Sequence, residues 1–457
     1  MRKYKFKYGI KVKKSIIITI TFLAVIIAGL LLMNRRSTRP NIVFIIVDTL
    51  RADHTDMGKN GNGNTPALMK LLKNDSVYFG SSYSNAPWTL PSISSMITSK
   101  FPSEIGVEKR NSKIDEKFVT LAEILKTNGY STHGIITHIF LKKKYGLGQG
   151  FDTYIEKINS ADNNLLTITS PEVTKEAINI IKNNKNRSFF MFLHYFDPHY
   201  RYVDHEKKST YSGPFLPEAD EKKKADIIRD NLFSKEDLNY FDECYKSEIR
   251  FTDKYIGKVI ESLKENNIYK NTLIVFVSDH GEEFGERGAL GHGQSLYNEL
   301  TRIPFILKLP EGYKKKGNIR PVFSNIDIAP TILDAVGIKI PEYFSGTSIF
   351  SKKVSETVFM EVNEKKYDTL YNKCAIVNNG WKLIKDFENN KFELYDIKKD
   401  RTEKNNRFDS DKKVFFRMYK ILKRYIRMTE NNRHVSQKTN LTKEEQKKLE
   451  TLGYIGN

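Results

Sequence analysis

Asn41-Ile-Val-Phe-Ile-Ile-Val-Asp48 is an uncharged, largely β-branched run closed by a carboxylate. A run with no polar face suits a strand buried on both sides, in a parallel sheet covered by helices. Thr272-Leu-Ile-Val-Phe-Val-Ser278, again followed by an aspartate (Asp279), repeats the pattern, and Phe189-Phe-Met-Phe-Leu-His194 is a third instance. Helical spacing fills the intervals, at 119–128 before Gly129, at 173–183 and at 237–266. In the last of these, Phe241, Tyr245, Ile249, Thr252, Ile256, Val259, Ile260 and Leu263 recur every three or four residues, as one buried helix face requires. Strands alternating with helices predict an α/β fold with a mainly parallel central sheet. Sites in such sheets gather beyond the carboxyl ends of the strands, which is where Asp48 and Asp279 fall.

Farther along, residues 326–337 read as a helix with Pro330 near its start and Gly337 at its end. The texture then changes. Thr357-Val-Phe-Met-Glu-Val362, Cys374-Ala-Ile-Val377, Trp381-Lys-Leu-Ile384 and Phe392-Glu-Leu-Tyr395 are short runs separated by Asn, Gly and Lys, and predict a small antiparallel subdomain. The basic stretch that follows (FFRMYKILKRYIRM, then KEEQKKLETLGYIGN) reads as a packed amphipathic helix, with a membrane-surface contact as the alternative. The expected boundaries are a main α/β domain at 41–350, the antiparallel subdomain at 351–410 and a basic helical tail at 411–457.

The chain has 457 residues, 39% hydrophobic and 28% charged, a balance that excludes wholesale disorder. Its net charge is +20, but ten of the basic residues and none of the acidic ones lie in residues 1–39. No nucleic-acid-binding motif accompanies the charge, so the expected partners are anionic membrane surfaces or envelope polymers and not nucleic acid. Residues 15–33 (SIIITITFLAVIIAGLLLM) have the length and apolarity of a bilayer-spanning helix. The basic segment 1–14 carries more positive charge than the link 34–40, which predicts a cytoplasmic N-terminus and a cell-membrane protein whose remainder lies outside. No small-x-small cleavage pattern follows the run, so it reads as a signal anchor. Cys244 and Cys374 read as unrelated buried thiols, with a pairing as the alternative.

Divalent cations need oxygen or nitrogen ligands converging from several segments, and Asp48, Asp279 and His280 supply two carboxylates and an imidazole. A lone Asp after a strand is most often a helix cap. Two such aspartates, one of them in Asp279-His-Gly-Glu282, favour a metal. Thr89, in Trp88-Thr-Leu-Pro-Ser92, opens a helix-like stretch and has two readings. One is an N-cap, for which Ser92 competes. The other is a hydroxyl on the cation, where coordination lowers its pKa and makes it a nucleophile. His194 and His199, in FLHYFDPHY, follow a strand and are candidates for gripping substrate oxygens or protonating a leaving group. His292 lies between two glycines, whose freedom lets the backbone approach a ligand. His54, His133, His138, His205 and His434 carry no such signal.

Taken in order over about residues 39–406, these segments resemble the sulfatase family of the alkaline phosphatase superfamily. The resemblance rests on RPNIVFIIVDTLRADH, APWTLPSISSMITSKFPSEIGV, FLHYFDPHY, YKSEIRFTDKYIGKVIESL, NTLIVFVSDHGEEFGERG, LGHGQSLYNELTRIPFIL and WKLIKDFENNKFELYDIKKD. It implies the family's α/β sandwich with a small antiparallel C-terminal subdomain. It also implies one divalent cation (Ca, Mn, Mg or Zn) at the positions of Asp48, Asp279 and His280, with Thr89 as a further ligand. Members of the formylglycine type carry Cys or Ser followed by x-Pro-x-Arg; here those positions are Thr89 and Ile93. Threonine is not a substrate for oxidation to that aldehyde. Asp48-Thr49 stands where paired aspartates are usual, and His292 where many sulfatases place a lysine. An unmodified threonine is more similar to the phosphatases, phosphoethanolamine transferases and lipoteichoic acid synthases of the superfamily.

The resulting expectation is a membrane-anchored, metal-dependent hydrolase or transferase acting on phosphate or sulfate esters, phosphate favoured. Thr89 is the nucleophile; His199 and His292 share the chemistry; His194, His199 and His292 bind the substrate anion, a glycan or lipid head-group ester. A second cation at Asp197, His199 and His292 is an alternative to one. A sulfate-ester hydrolase with unmodified Thr89, and a catalytically silent envelope-binding protein, are the alternative functions.

Overall fold

Every residue of the strand Asn41–Val47 (β1) is buried, and its side chains divide by parity between two cores. Ile42, Phe44 and Ile46 pack into one layer of helices, and Val43, Ile45 and Val47 into the other. Each such buried aliphatic group contributes about 1.5–3 kcal/mol, set against the entropy of ordering the chain. The computed structural model describes residues 39–57, 63–158, 169–216, 232–313, 322–351, 356–366 and 369–452, together with Lys224, Ile227, Asp230 and Tyr454. Residues 1–39 and 40–457 are separate units, and the architecture that follows is that of the second. The expected spanning helix at 15–33 lies outside the described residues; among the described residues no helix is long and apolar enough to cross a membrane.

After β1 come α1 (Pro66–Asp75), β2 (Ser76–Tyr78), α2 (Thr89–Thr98), α3 (Leu121–Thr127), β3 (Ser131–Ile136) and β4 (Thr153–Glu156). The chain continues through α4 (Ser170–Asn184), β5 (Phe189–Tyr195), α5 (Lys235–Glu265), β6 (Thr272–Ser278), β7 (Phe305–Lys308) and α6 (Ile328–Ala335). The central sheet has seven strands in the order β2-β7-β6-β1-β5-β3-β4. Its core β6-β1-β5-β3-β4 is parallel throughout, and β7 and β2 close one edge antiparallel. Helices α1, α4 and α5 cover one face with Leu68, Val173, Phe241 and Ile256. Helices α2, α3 and α6 cover the other with Leu90, Ile93, Leu125 and Ile332. The sequence spacing placed α5 at 237–266; it starts slightly earlier because Ser234 caps it, its hydroxyl accepting from Asp237 N at 3.1 Å.

The expected antiparallel subdomain is a four-stranded meander of β8 (Thr357–Lys366), β9 (Thr369–Asn378), β10 (Trp381–Asp386) and β11 (Lys391–Asp396). Helix α7 (Lys412–Asn431) lays Phe415, Met418, Leu422 and Tyr425 on Ile376, Leu383 and Leu394 of that sheet, as the packed-helix reading requires. Cys244 and Cys374 are free, buried thiols in different cores. A last helix, α8 (Lys443–Thr451), returns to the main domain and is followed by Leu452, which with Leu449 joins the main core.

Candidate active site

Three adjacent parallel strands deliver the first residues of the site. The register pairs Val47 with Ser278, so Asp48 and Asp279, each the next residue of its chain segment, emerge side by side. Ile46 pairs with His194 on the other flank. One ligating atom from each of Asp48, His194 and Asp279 lies within 4.8 Å of the others. Both carboxylate oxygens of Asp48, Oδ2 of Asp279 and Nε2 of His194 are buried without a hydrogen-bond partner. Such groups are costly to leave unpaired in a protein interior.

The imidazoles here are pre-set as lone-pair donors. His280 Nδ1 lies 2.9 Å from the Gly281 carbonyl and donates to it, so its Nε2 is unprotonated. That Nε2 stands 3.2 Å from Thr89 Oγ1, 3.4 Å from Asp279 Oδ2 and 3.6 Å from Asp48 Oδ1. Thr137 donates its hydroxyl hydrogen to the His194 carbonyl (3.0 Å), so His194 Nδ1 donates to Thr137 Oγ1 (2.9 Å) and Nε2 again carries the lone pair. Gly281 is required by close packing, since a Cβ there would stand 2.0 Å from the Glu299 carbonyl oxygen.

Backbone strain sits beside Asp48. Thr49 has φ 55°, a left-handed conformation that a β-branched residue rarely adopts. Its surroundings hold it there. The Thr49 N–H donates to Asp279 Oδ1 at 3.1 Å, its hydroxyl to the Pro198 carbonyl at 2.9 Å, and its carbonyl accepts from the Tyr245 hydroxyl at 2.7 Å.

Thr89 is the first residue of α2, and Trp88 occupies the N-cap position without a side-chain cap bond. Neither sequence candidate for the cap serves as one. The Ser92 hydroxyl instead donates to the Asp279 carbonyl (2.7 Å) and accepts from Asn325 Nδ2 (2.9 Å), which rivets the start of α2 to the strand end carrying Asp279. Ile93 is wholly buried in the core beneath the helix.

A second half of the site is made of imidazoles. His199 Nδ1 donates to the Tyr200 carbonyl at 2.8 Å. His292, between Gly291 and Gly293 (φ 92° at both), has Nδ1 2.9 Å from Glu282 Oε1. The Tyr202 hydroxyl donates to the other Glu282 oxygen at 2.9 Å, and Lys366 Nζ to the His292 carbonyl at 3.0 Å. The Tyr454 hydroxyl then reaches His292 Nε2 (2.8 Å), His199 Nε2 (3.1 Å), Thr89 Oγ1 (3.4 Å) and His138 Nε2 (3.4 Å).

Burial sets the protonation of both halves. It raises the Asp48 carboxyl well above its ordinary value, helped by the neighbouring Asp279 and Glu282 charges. Burial likewise lifts Asp279 to about 7 and Glu282 to about 8. It lowers His194, His199 and His280 to about 3 and His292 well below its usual value. Burial opposes charge of either sign here, so the carboxyls ionise only with a counter-charge beside them.

Of the residues singled out in the sequence, Asp48, Thr89, Asp279, His280, His199 and His292 converge. His194 converges too, but beside Asp48, away from the pair His199 and His292. The alternative second cation at Asp197, His199 and His292 is not built: Asp197 accepts from the N–H groups of Thr169 and Ser170 and from the Thr169 hydroxyl, capping the start of α4. Four residues were missed: Glu282, Lys366, His138 and Tyr454. His138 follows β3 at the same sheet edge, so recognising Ser131–Ile136 as a strand would have exposed it.

The sequence matches the family model described as Sulfatase over residues 40–338, and the one described as N-sulphoglucosamine sulphohydrolase, C-terminal, over 285–431. It is 24% identical over 419 residues to the uncharacterized sulfatase YidJ of Escherichia coli (strain K12), covering 81% of this chain and 83% of that one. It is 23% identical to an N-acetylglucosamine-6-O-sulfatase of Bacteroides thetaiotaomicron, with 81% and 83% covered. Among solved structures, the phosphonate monoester hydrolase SpPMH of Silicibacter pomeroyi superposes with a TM-score of 0.68 over 89% of this chain and 98% of that one, at 18% identity. That likeness is one of fold.

Proposed function

The chain belongs to the sulfatase family, and from that premise we propose that it is a metal-assisted ester hydrolase or transferase whose nucleophile is Thr89. The observation behind this is the place of Thr89 Oγ1, 3.2 Å from His280 Nε2 at the rim of a cluster of unpartnered buried acceptors. Asp48, His194, Asp279 and His280 fit a divalent cation in donor type: two carboxylates, and two imidazoles each anchored through Nδ1. His194 accordingly joins the cation ligands instead of the substrate group. A bound cation would polarise the ester and make the Thr89 hydroxyl more acidic.

The protein's own groups do the rest. The bond from Ser92 to the Asp279 backbone fixes Thr89 relative to the ligands. His199 takes a proton at Nε2 as the anion enters and holds the substrate's remaining anionic oxygens, with His292 facing them. As the Thr89 Oγ bond to phosphorus (or sulfur) forms, the ester bond to the leaving oxygen breaks. The Thr89 hydroxyl proton passes to the unprotonated Nε2 of His292, whose Nδ1 is held by Glu282, and from there to the leaving oxygen. Water or an acceptor alcohol then releases the group from Thr89. Phosphate esters are preferred because Thr89 gives no aldehyde and Ile93 replaces the arginine of the formylglycine type. The second reading is a sulfate-ester hydrolase with unmodified threonine, favoured by the relative named N-acetylglucosamine-6-O-sulfatase. The substrate class is an anionic glycan or lipid head-group ester, met outside the cell by a protein anchored through residues 15–33.

The test is a turnover panel of aryl phosphate, phosphonate monoester and aryl sulfate with Mn, Mg, Ca and Zn, with Thr89→Ala as control. Phosphorus-ester cleavage lost in the variant supports the proposal. Thr89-dependent sulfate cleavage alone would select the second reading. Metal binding without turnover on any ester would leave the binding-protein alternative.

A further inference from the structure

Tyr454 reaches the nucleophile and three imidazoles at once, from a segment far along the chain. We propose that residues 443–452 together with Tyr454 are a movable stopper: the Tyr454 hydroxyl occupies the place of the substrate's anionic group, and the segment has to withdraw before an ester reaches Thr89. This rests on the reading of Thr89, His199 and His292 as the substrate's site.

Position is the first argument. The phenol oxygen stands 3.4 Å from Thr89 Oγ1, within the separation of about 3–3.5 Å at which reacting atoms meet. It also takes the Nε2 atoms of His199 and His292, the faces left over once each Nδ1 is committed elsewhere. Stoichiometry is the second. A phenol has one hydrogen to give and two lone pairs, yet four polar groups converge on it. A tetrahedral oxyanion offers several acceptor oxygens, one to the Nε2–H of His138, whose Nδ1 accepts from Phe140 N, and others to His199 and His292 once each takes a proton at Nε2.

Closure is the third argument. Asp48, Thr89, His199, Asp279 and His280 have no solvent exposure, and His292 has 6%. The Tyr454 ring is part of that seal, edge-on to Phe140 at 5.0 Å and stacked over His199 at 5.8 Å. With it in place an ester has no access to the hydroxyl it must meet.

The attachment is of a kind that can let go. Helix α8 has nine residues. It is held by Leu449 and Leu452 in the core and by ion pairs from Glu445 to Lys142 (3.0 Å) and to Lys144. The two lysines are partly exposed, and such pairs are individually weak. A small, partly open cavity lies between Leu452, Lys448 and His138.

The experiment measures binding of inorganic phosphate and inorganic sulfate by calorimetry, in Mn, to the full-length chain and to Tyr454→Ala and Glu445→Lys. A segment that must leave before an anion binds reduces apparent affinity by the fraction of open molecules. Tyr454→Ala should therefore bind the anion about tenfold or more tightly. Glu445→Lys, which loosens α8 and leaves every site residue intact, should gain about two- to fivefold. Anion affinity unchanged or weakened in both variants, with native thermal melts, would overturn the stopper and make Tyr454 a fixed binding group. Tighter anion binding without turnover of any ester would uphold the stopper and remove the esterase reading. Normal Thr89-dependent turnover with unchanged anion binding would do the reverse.

Discussion

In one half of the buried site, Asp48, Asp279 and His194 turn carboxylate oxygens and an imidazole nitrogen towards one another with no hydrogen-bond partner. In the other half, His199 and His292 have both ring nitrogens bonded, to Tyr200 and Tyr454 and to Glu282 and Tyr454. The rings of His280 and His292 lie only 4.4 Å apart, so the two halves share a wall and the same degree of burial. What separates them is the source of the missing partner. The carboxylate half lacks a counter-charge that no described side chain supplies. The imidazole half finds its partner within the chain, in Tyr454. On the proposed reading, the first arrangement ties stability and chemistry to a cation, whereas the second ties access to the movement of a protein segment. The two dependences should be separable by mutation.

Thr89 stands where the halves meet, and its loss should have the largest effect. Thr89→Ala is expected to lower kcat/KM for an aryl phosphate by about 10⁴-fold or more, while cation affinity measured by calorimetry changes far less. Retention of activity within tenfold would remove threonine from the mechanism. Asp279→Asn cuts the carboxylate half alone. Removing a group that only hydrogen-bonds to a metal ligand already costs about 10–100-fold in metal affinity, so removing a ligand itself should cost at least about 100-fold. The metal-free variant should at the same time melt higher than the metal-free parent, because a buried unpartnered carboxyl has gone. A lower melting temperature would show that Asp279 is satisfied without a cation. Glu282→Gln cuts the imidazole half alone. It should lower cation affinity far less than Asp279→Asn does, since Glu282 acts on Asp48 only through its charge, and reduce kcat about 10–100-fold, more for alkyl esters, whose leaving group needs a proton, than for aryl esters. Equal losses on both classes would deny His292 its acid role.

The two halves were unequally legible in the sequence. Asp48 and Asp279 announce themselves because each ends an apolar run whose only stable home is a buried parallel strand, and the strand-end rule does the rest. Thr89 was legible as a residue but not as a helix position: its cap-like neighbourhood concealed that Ser92 bonds to the Asp279 backbone. His194 could be placed after a strand, but which neighbour it faced depended on the β1–β5 register, which no local pattern encodes. Asp197, in FLHYFDPHY, looked like a ligand and is a helix cap, since the N-terminus it serves lies in a segment distant in sequence. Tyr454 was illegible for a similar reason. It follows a charged stretch (KEEQKKLE) and sits in no catalytic motif, and only the packing of Leu449 and Leu452 into the main core gives it meaning. Long-range geometry, more than residue chemistry, was the missing information.

The smallest expected effect is on stability, and it tests whether the carboxylate half needs its counter-charge. Asp279 and Glu282 have native values of about 7 and about 8 against ordinary values of 3.8 and 4.5. Between those limits the unfolded chain holds fewer protons than the native one, so each group makes stability fall as pH rises. His194, His199 and His280 act oppositely: with native values of about 3 against 6.5, they make stability rise with pH between those two limits. The opposing slopes offset one another below 6.5. Above it the site's histidines contribute nothing further and its carboxyls remain, joined by Asp253, Glu361 and Glu364, each raised by burial to about 7, whose slopes have the same sign. The metal-free protein should therefore lose more than about 2 kcal/mol between about pH 6.5 and 8, at about 1.4 kcal/mol per pH unit for each titrating group. Saturating Mn should abolish the Asp279 share of that loss, because a bound cation favours the ionised carboxylate at every pH in the window. Urea unfolding at pH 6.5, 7.2 and 8, with and without Mn, measures both slopes. A metal-free stability that stays flat or rises across that interval would mean the carboxyls are compensated from within the fold, and the contrast between the two halves would collapse.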